Sequence, residues 1–175
     1  MGNEQLWAPW RLSYIKGERG SAADRELKFL PDADPACFLC RAVASADDRE
    51  NLVVYRSEKT AVVLNRYPYN NGHLLIIPAR HKARLQDLED DEHLGMQQTI
   101  TRFTEIIERS MNAEGFNVGL NLGRASGAGW PGHLHWHVVP RWTGDTNFMD
   151  IIAGIDVIPQ SLDALWELLQ AEQSK

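Results

Sequence analysis

Hydrophobic positions divide the chain into short strand-like runs around one long helical stretch. Asn51–Arg56 and Thr60–Arg66 are two β-branched runs separated by Ser57, Glu58 and Lys59, a spacing that predicts a hairpin. His73–Pro78 is a near-continuous apolar run and reads as a buried strand. From about Asp90 to Met111 the period changes. Met96, Ile100, Phe103, Ile107 and Met111 recur at three and four residues, one face of an amphipathic helix. Asp90, Asp91 and Glu92 open it, where carboxylates meet the positive end of the helix dipole, and Gly115 lies just past its end. Phe116–Gly123 alternates as a strand. A glycine-rich loop, residues 123–132, follows, and then a strand over His133–Pro140. Ile151–Ile158 adds a short strand, and Ser161 caps a C-terminal helix with Leu162, Leu165, Leu168 and Leu169 inward. Strands, helix, strands and helix in that order predict an α+β fold with a mainly antiparallel sheet.

Three stretches emerge: an extension over residues 1–36 carrying Trp7, Pro9, Trp10 and Tyr14, a central domain over 37–150, and a strand and helix extension over 151–175. Aromatics as dense as those of the first stretch are expected to clamp onto the domain body or a second subunit. With 175 residues, 43% of them hydrophobic, the chain can bury a core unaided. A net charge of −6 argues against a sequence-independent binder of nucleic-acid polymers, which needs a basic field. No apolar run reaches the length of a membrane span, and the first residues do not read as an export signal. The opening Met-Gly-Asn is a weak myristoylation pattern. The expected location is cytoplasmic. Cys37 and Cys40 then read as reduced thiols or half of a zinc site.

The chemistry concentrates at His133, His135 and His137. On a strand, residues two apart share a face, so all three imidazoles are expected on one side, with Leu134, Trp136 and Val138 on the other. Neutral imidazole is a competent nucleophile at pH 7, and its attack on phosphorus splits one hard step into two. The flanking rings can hydrogen-bond the transferred group or the leaving oxygen. A second reading makes the three rings ligands of a catalytic metal, and a third is a nucleotide-binding adaptor. Arg124, Arg141 and Lys82 are candidate phosphate cations. His73 is assigned a packing hydrogen bond.

The segment His133-Leu134-His135-Trp136-His137-Val138-Val139 resembles the His-φ-His-φ-His-φ-φ motif of the histidine triad (HIT) family, φ being apolar. Upstream, Asn65 to Pro78 resembles that family's Asn-x-x-Pro-x-x-x-Gly-His-φ-φ-φ-x-Pro segment. The resemblance implies a homodimer of joined half-barrel sheets with a nucleotide cleft on each subunit. It makes His135 the nucleophile toward the α-phosphate of a purine nucleotide or dinucleoside polyphosphate, with His137 and His133 supporting. It places Asn65 at the ribose and Asn121 facing the substrate. Trp7-Ala8-Pro9-Trp10-Arg11 and the stretch Val139 to Phe148 (VPRWTGDTNF) resemble the bacterial branch acting on diadenosine tetraphosphate. Where many members carry Ser or Gln before the triad, this chain has Gly127-Ala128-Gly129-Trp130-Pro131-Gly132, so backbone N–H groups at Gly127 and Gly129 are expected to hold phosphate. Relatives with a matching Cys pair imply a structural zinc on Cys37, Cys40, His81 and His133. No cofactor is expected for catalysis itself.

Overall fold

In the computed structural model, the described residues are 27–145 and 158–174. Five strands form one antiparallel sheet: β1 (Val53–Arg56), β2 (Thr60–Leu64), β3 (Leu74–Pro78), β4 (Gly115–Leu120) and β5 (Trp136–Arg141). Their spatial order is β1-β2-β3-β5-β4, so the last strand inserts between the third and fourth. Three helices accompany them: α1 (Phe38–Ala44), α2 (Asp90–Met111) and α3 (Leu162–Gln173). This is the α+β, mainly antiparallel architecture expected. The predicted Ile151–Ile158 strand and the aromatics Trp7, Trp10 and Tyr14 lie outside the described residues, save Ile158 itself, which is in no strand.

β2 and β3 are buried throughout, and apolar save for Thr60, because both their faces are covered. On one face Val62, Leu64, Leu74, Ile76, Leu134 and Val138 meet Met96, Ile100, Phe103 and Ile107 of α2 and Leu165 and Leu169 of α3. On the other, Ala61, Val63, Leu75 and Ile77 meet Cys37, Leu39, Cys40 and Ala42 around α1. Strands buried on both sides lose the polar half of the alternating pattern, which is why these read as continuous apolar runs.

Local chemistry sets the element ends. Glu89 caps α2 in a reciprocal box with Glu92, whose carboxylate also takes two hydrogen bonds from Arg80, at 2.8 and 2.6 Å. The stop of α2 is Asn112, left-handed at φ 52°, and not Gly115, which already starts β4. Asn tolerates that conformation nearly as well as Gly. Arg56 donates to the carbonyls of Ala42, Val43 and Ser45, closing the end of α1 and fixing it to the sheet. The outer edge of β1 is not left bare. Trp166 Nε1 donates to Val53 O, and Gln170 and Gln173 donate to Val54 O, at 2.8, 2.7 and 2.7 Å.

The core contact between α2 and the sheet should dominate stability. Phe103, fully buried at its centre, should cost about 3–5 kcal/mol when cut to Ala. Asp163→Asn, which loses only an exposed ion pair with Arg49, should cost less than about 1 kcal/mol. Urea unfolding of the two variants checks the contrast, and equal losses would contradict it.

Candidate active site

The three histidines part company at the start of β5. Pairing with β3 and β4 begins at Trp136, so His133 and His135 precede the strand and only His137 lies within it. This corrects the expectation of a strand starting at His133 with three rings side by side. The turn through Pro131 and Gly132 feeds the strand from outside the sheet, and His133, completely buried, enters a separate cluster. His135 and His137 stay together, their ring centroids 5.1 Å apart.

Each ring's protonation follows from its partners. His135 Nδ1 lies 2.8 Å from the carbonyl oxygen of His133. A carbonyl can only accept, so Nδ1 carries the hydrogen, and in the neutral ring Nε2 keeps its lone pair. His73 Nδ1 accepts from the backbone N–H of Tyr69 at 3.0 Å. Its hydrogen therefore sits on Nε2, which donates to His137 Nδ1 at 2.9 Å. That leaves His137 with its own hydrogen on Nε2, a buried atom with no hydrogen-bond partner among the described residues. Burial holds both rings neutral, pushing His137 below the usual imidazole range and His73 down to about 4, with the neighbouring histidines adding to the His73 shift. So a lone pair on His135 stands beside a donor on His137. Tyr69 covers the relay, its ring stacked on His137 with centroids 5.7 Å apart and 4.7 Å from that of His73.

His135 and His137 line an open cleft of about 510 Å³. Asn65, Gly127 and Gly129 also line it, as do Leu52, Arg66, Phe38 and Trp130. Asn121, just after β4, is half-buried and is not part of this wall. Asn65 Oδ1 accepts from the Tyr67 N–H at 3.0 Å, which turns its amide nitrogen toward His73. Of the candidate cations, Arg124, Lys82 and Arg141 are absent from the lining. Arg141 is spent on Asp145 and Asn117, at 2.6 and 2.8 Å. Sequence reasoning missed Arg66, the basic side chain that does line the cleft, and Phe38, half exposed at its mouth and edge-on to Trp130 with centroids 6.3 Å apart. It also gave His73 a packing role and missed the link to His137. The signal was available: one position of β3 register, Leu75 opposite His137, puts His73 diagonally beside that ring.

The ring of His133 joins Cys37, Cys40 and His81, with one ligand atom from each within 4.8 Å of the others. His133 Nδ1 is 3.5 Å from both sulfurs, and His81 Nδ1 is 3.1 Å from Cys40 Sγ. A tetrahedral zinc with ordinary Zn–S and Zn–N bonds separates S from N by about 3.5 Å. The second contact of His133 suits a ligand as well. Its Nε2 lies 2.9 Å from Pro78 O and must donate to it, leaving the Nδ1 lone pair toward the sulfurs. Burial pushes the Cys37 thiol up to about 11 in the metal-free cluster, so a cation binding there would have to displace its proton. The second sequence reading, a catalytic metal held by all three triad rings, does not match this arrangement, because His133 shares its cluster with the cysteines and not with His135 and His137.

Comparisons with known proteins bear on the family and the fold. An "AP-4-A phosphorylase" of Mycobacterium tuberculosis is 40% identical over 174 residues, spanning 98% of this chain and 85% of that protein. The asymmetrical bis(5'-nucleosyl)-tetraphosphatase of Schizosaccharomyces pombe is 32% identical over 57% of this chain and 54% of its own. Among solved structures, a zinc-bound histidine triad family protein from Mycobacterium smegmatis superposes with a TM-score of 0.63 at 25% identity, covering 79% of this chain and 94% of that one. The HIT domain model matches residues 47–144, more than half of the sequence, and the chain belongs to the HIT domain family.

Proposed function

We propose that the chain cleaves dinucleoside polyphosphates, diadenosine tetraphosphate foremost, through a nucleotidyl-histidine intermediate on His135. The observation that carries this reading is the fixed pair of a lone pair on His135 Nε2 and a hydrogen on His137 Nε2 in one cleft. The kinship with a diadenosine tetraphosphate phosphorylase and an asymmetrical tetraphosphatase supports the substrate class.

In the first step the His135 Nε2 lone pair attacks the α-phosphorus. The P–N bond forms as the bond from that phosphorus to the bridging oxygen breaks, and the leaving polyphosphate departs with the electron pair. His137 Nε2–H donates to a phosphate or leaving-group oxygen as charge builds there. The His133 carbonyl accepts from Nδ1 and stabilises the charged ring that forms. In the second step water or inorganic phosphate attacks the same phosphorus and frees His135. His133 assists through its backbone, while Gly129 offers an N–H group to phosphate and Arg66 adds a charge at the rim; the Gly127 N–H, which the sequence also put forward, is spent on Arg124 O. Asn65 is assigned to the ribose and Asn121 to a more distant polar contact. Phe38 gives an aromatic surface for the base, with adenine preferred.

The same reading extends to the assembly. Zinc, held by Cys37, Cys40, His81 and His133, would fix the start of α1 and the entry to β5 without touching substrate. A homodimer forms by joining sheets along β4, the edge that leaves Val118 exposed. The cytoplasm is the proposed location. No described helix is long and apolar enough to cross a membrane. Residues 1–36 and 151–175 are treated as extensions of a 37–150 domain.

Three outcomes test this. Mixing the protein with diadenosine tetraphosphate should give an adenylyl adduct on His135 by peptide mass spectrometry. His135→Ala should lose roughly a thousandfold or more in turnover. Adding inorganic phosphate decides the acceptor, giving ADP and ATP if phosphate attacks, AMP and ATP if water does. Full turnover by His135→Ala would sink the mechanism.

Stability should also depend on pH through His73. Its folded-state pKa lies below the unfolded value, so the unfolded chain takes up the proton first as pH falls. The contribution is complete above about pH 6.5 and is lost toward pH 4, amounting to about 3 kcal/mol. Urea midpoints between those limits should fall less steeply in His73→Gln than in the wild type.

Metal analysis should find one zinc per chain. Chelation should lower the unfolding temperature and Cys40→Ser should do the same. Turnover lost to a chelator with an unchanged unfolding temperature would speak for a catalytic metal instead.

A further inference from the structure

The turn after β5 carries a carboxylate that the cleft chemistry does not use. Asp145, its side chain only 9% exposed, takes two hydrogen bonds from Arg141, Nε to Oδ2 at 2.6 Å and Nη2 to Oδ1 at 2.8 Å. Oδ2 also accepts from the Trp142 N–H at 3.1 Å and from Asn70 Nδ2 at 2.8 Å. The last bond leaves the turn altogether and reaches the loop between β2 and β3. Asn70 Nδ2 donates as well to Pro140 O at 3.2 Å, so its amide is clamped to the end of β5. Its own carbonyl accepts from the His73 N–H at 3.3 Å, and its Oδ1 from the Asn71 N–H at 2.9 Å. Behind it, Gly72 turns at φ 79° with Pro140 Cγ 3.0 Å from where a Cβ would sit.

Asn70 is the residue next to Tyr69, whose N–H fixes the tautomer of His73. We infer that Asp145 is a positioning residue for the reaction. Through Asn70 it holds the Tyr69 N–H on His73 Nδ1, and so keeps the hydrogen of His137 on Nε2. This rests on the reading of His137 as the donor to the transferred phosphate. Without the clamp, the loop is free to move the Tyr69 N–H off Nδ1, leaving only the Asn65 amide nitrogen, which lies about equally far from both ring nitrogens at 3.3 and 3.4 Å and so favours neither tautomer. His73 can then take either tautomer, and His137 can present a lone pair to the cleft where a donor is needed. The Arg141–Trp142–x–Gly–Asp145 turn, which has no residue in the cleft wall, gains a role in this way.

The test combines imidazole nitrogen NMR on the free, zinc-loaded protein with steady-state kinetics on diadenosine tetraphosphate. In the wild type, His137 should show the Nε2–H tautomer alone. Asp145→Asn and Asn70→Ala sever the link from opposite sides. Each should show a mixture of tautomers at His73 and His137, with kcat down about tenfold or more and KM within about twofold. Glu114→Ala is the control. It removes another tether of the same turn, the hydrogen bonds from Thr143, and leaves Asp145 on Asn70. It should keep both the wild-type tautomer and the wild-type kcat. An unchanged tautomer in Asn70→Ala and Asp145→Asn overturns the inference, as does a mixed tautomer with full kcat. A Glu114→Ala variant that matches them also overturns it, since general loosening of the turn would then suffice. The tautomer comparison needs no substrate, so a missing adduct on His135 counts against the proposed function and leaves the NMR to decide the coupling.

Discussion

A backbone amide can only donate and a backbone carbonyl can only accept, and two such groups govern this site. The Tyr69 N–H sets His73, and the His133 carbonyl sets His135. Imidazole is otherwise ambivalent, since either nitrogen can carry the hydrogen. With one fixed partner at each end, the ambiguity disappears along the whole run of rings. The outcome is a ring nitrogen with a lone pair on His135 beside one with a hydrogen on His137, from identical side chains. Burial helps by disfavouring the charged forms of His73 and His137. The same low-dielectric surroundings strengthen each hydrogen bond in the relay.

Fixed partners need a fixed scaffold. β3 and β5 are neighbours in the sheet, and their register brings His73 to His137. The two-sided burial of β2 and β3 makes that register costly to slip, because a shift by one residue would exchange the residues that meet α2 with those that meet α1. α1 is bound in turn by the Arg56 guanidinium across its last carbonyls. It carries Phe38 to the cleft and Cys40 to the metal-suited cluster, with Cys37 at its N-cap.

Much of this was legible in the residue pattern. The long helix was visible from Asp90 to Met111 because its apolar stripe has an unbroken helical period. The hairpin and the sheet followed from β-branched runs between turn residues. The cleft membership of His135, His137 and Asn65 was readable from the two motifs, and that of Gly127 and Gly129 from the glycine-rich loop before the triad. Other features were hidden for definite reasons. The divergence of His133 depends on where pairing stops, and sequence alternation does not record that a strand begins three residues late. The stop of α2 at Asn112 was masked by a more conventional glycine nearby. The contributions of Phe38, Arg66 and Asp145 come from contacts across the sheet. Phe38 lies on a helix nearly a hundred residues away from the loop that carries Trp130, and no local pattern marks such a pairing.

The two halves of the triad do opposite things two residues apart, and the peptide between them explains how. His133 turns its ring into a cluster of sulfur and nitrogen ligands, yet its carbonyl points at His135. Side chain and backbone of one residue thus serve different sites. A cation that orders the His133 ring would narrow the positions open to the carbonyl as well, since both belong to one residue whose ring is anchored again at Pro78 O. The Nε2 lone pair of His135 would then be aimed by a centre that never meets the substrate. A metal at this position makes sense without any part in the chemistry. It would supply the stiffness that a turn rich in glycine, residues 127–132, cannot provide by itself.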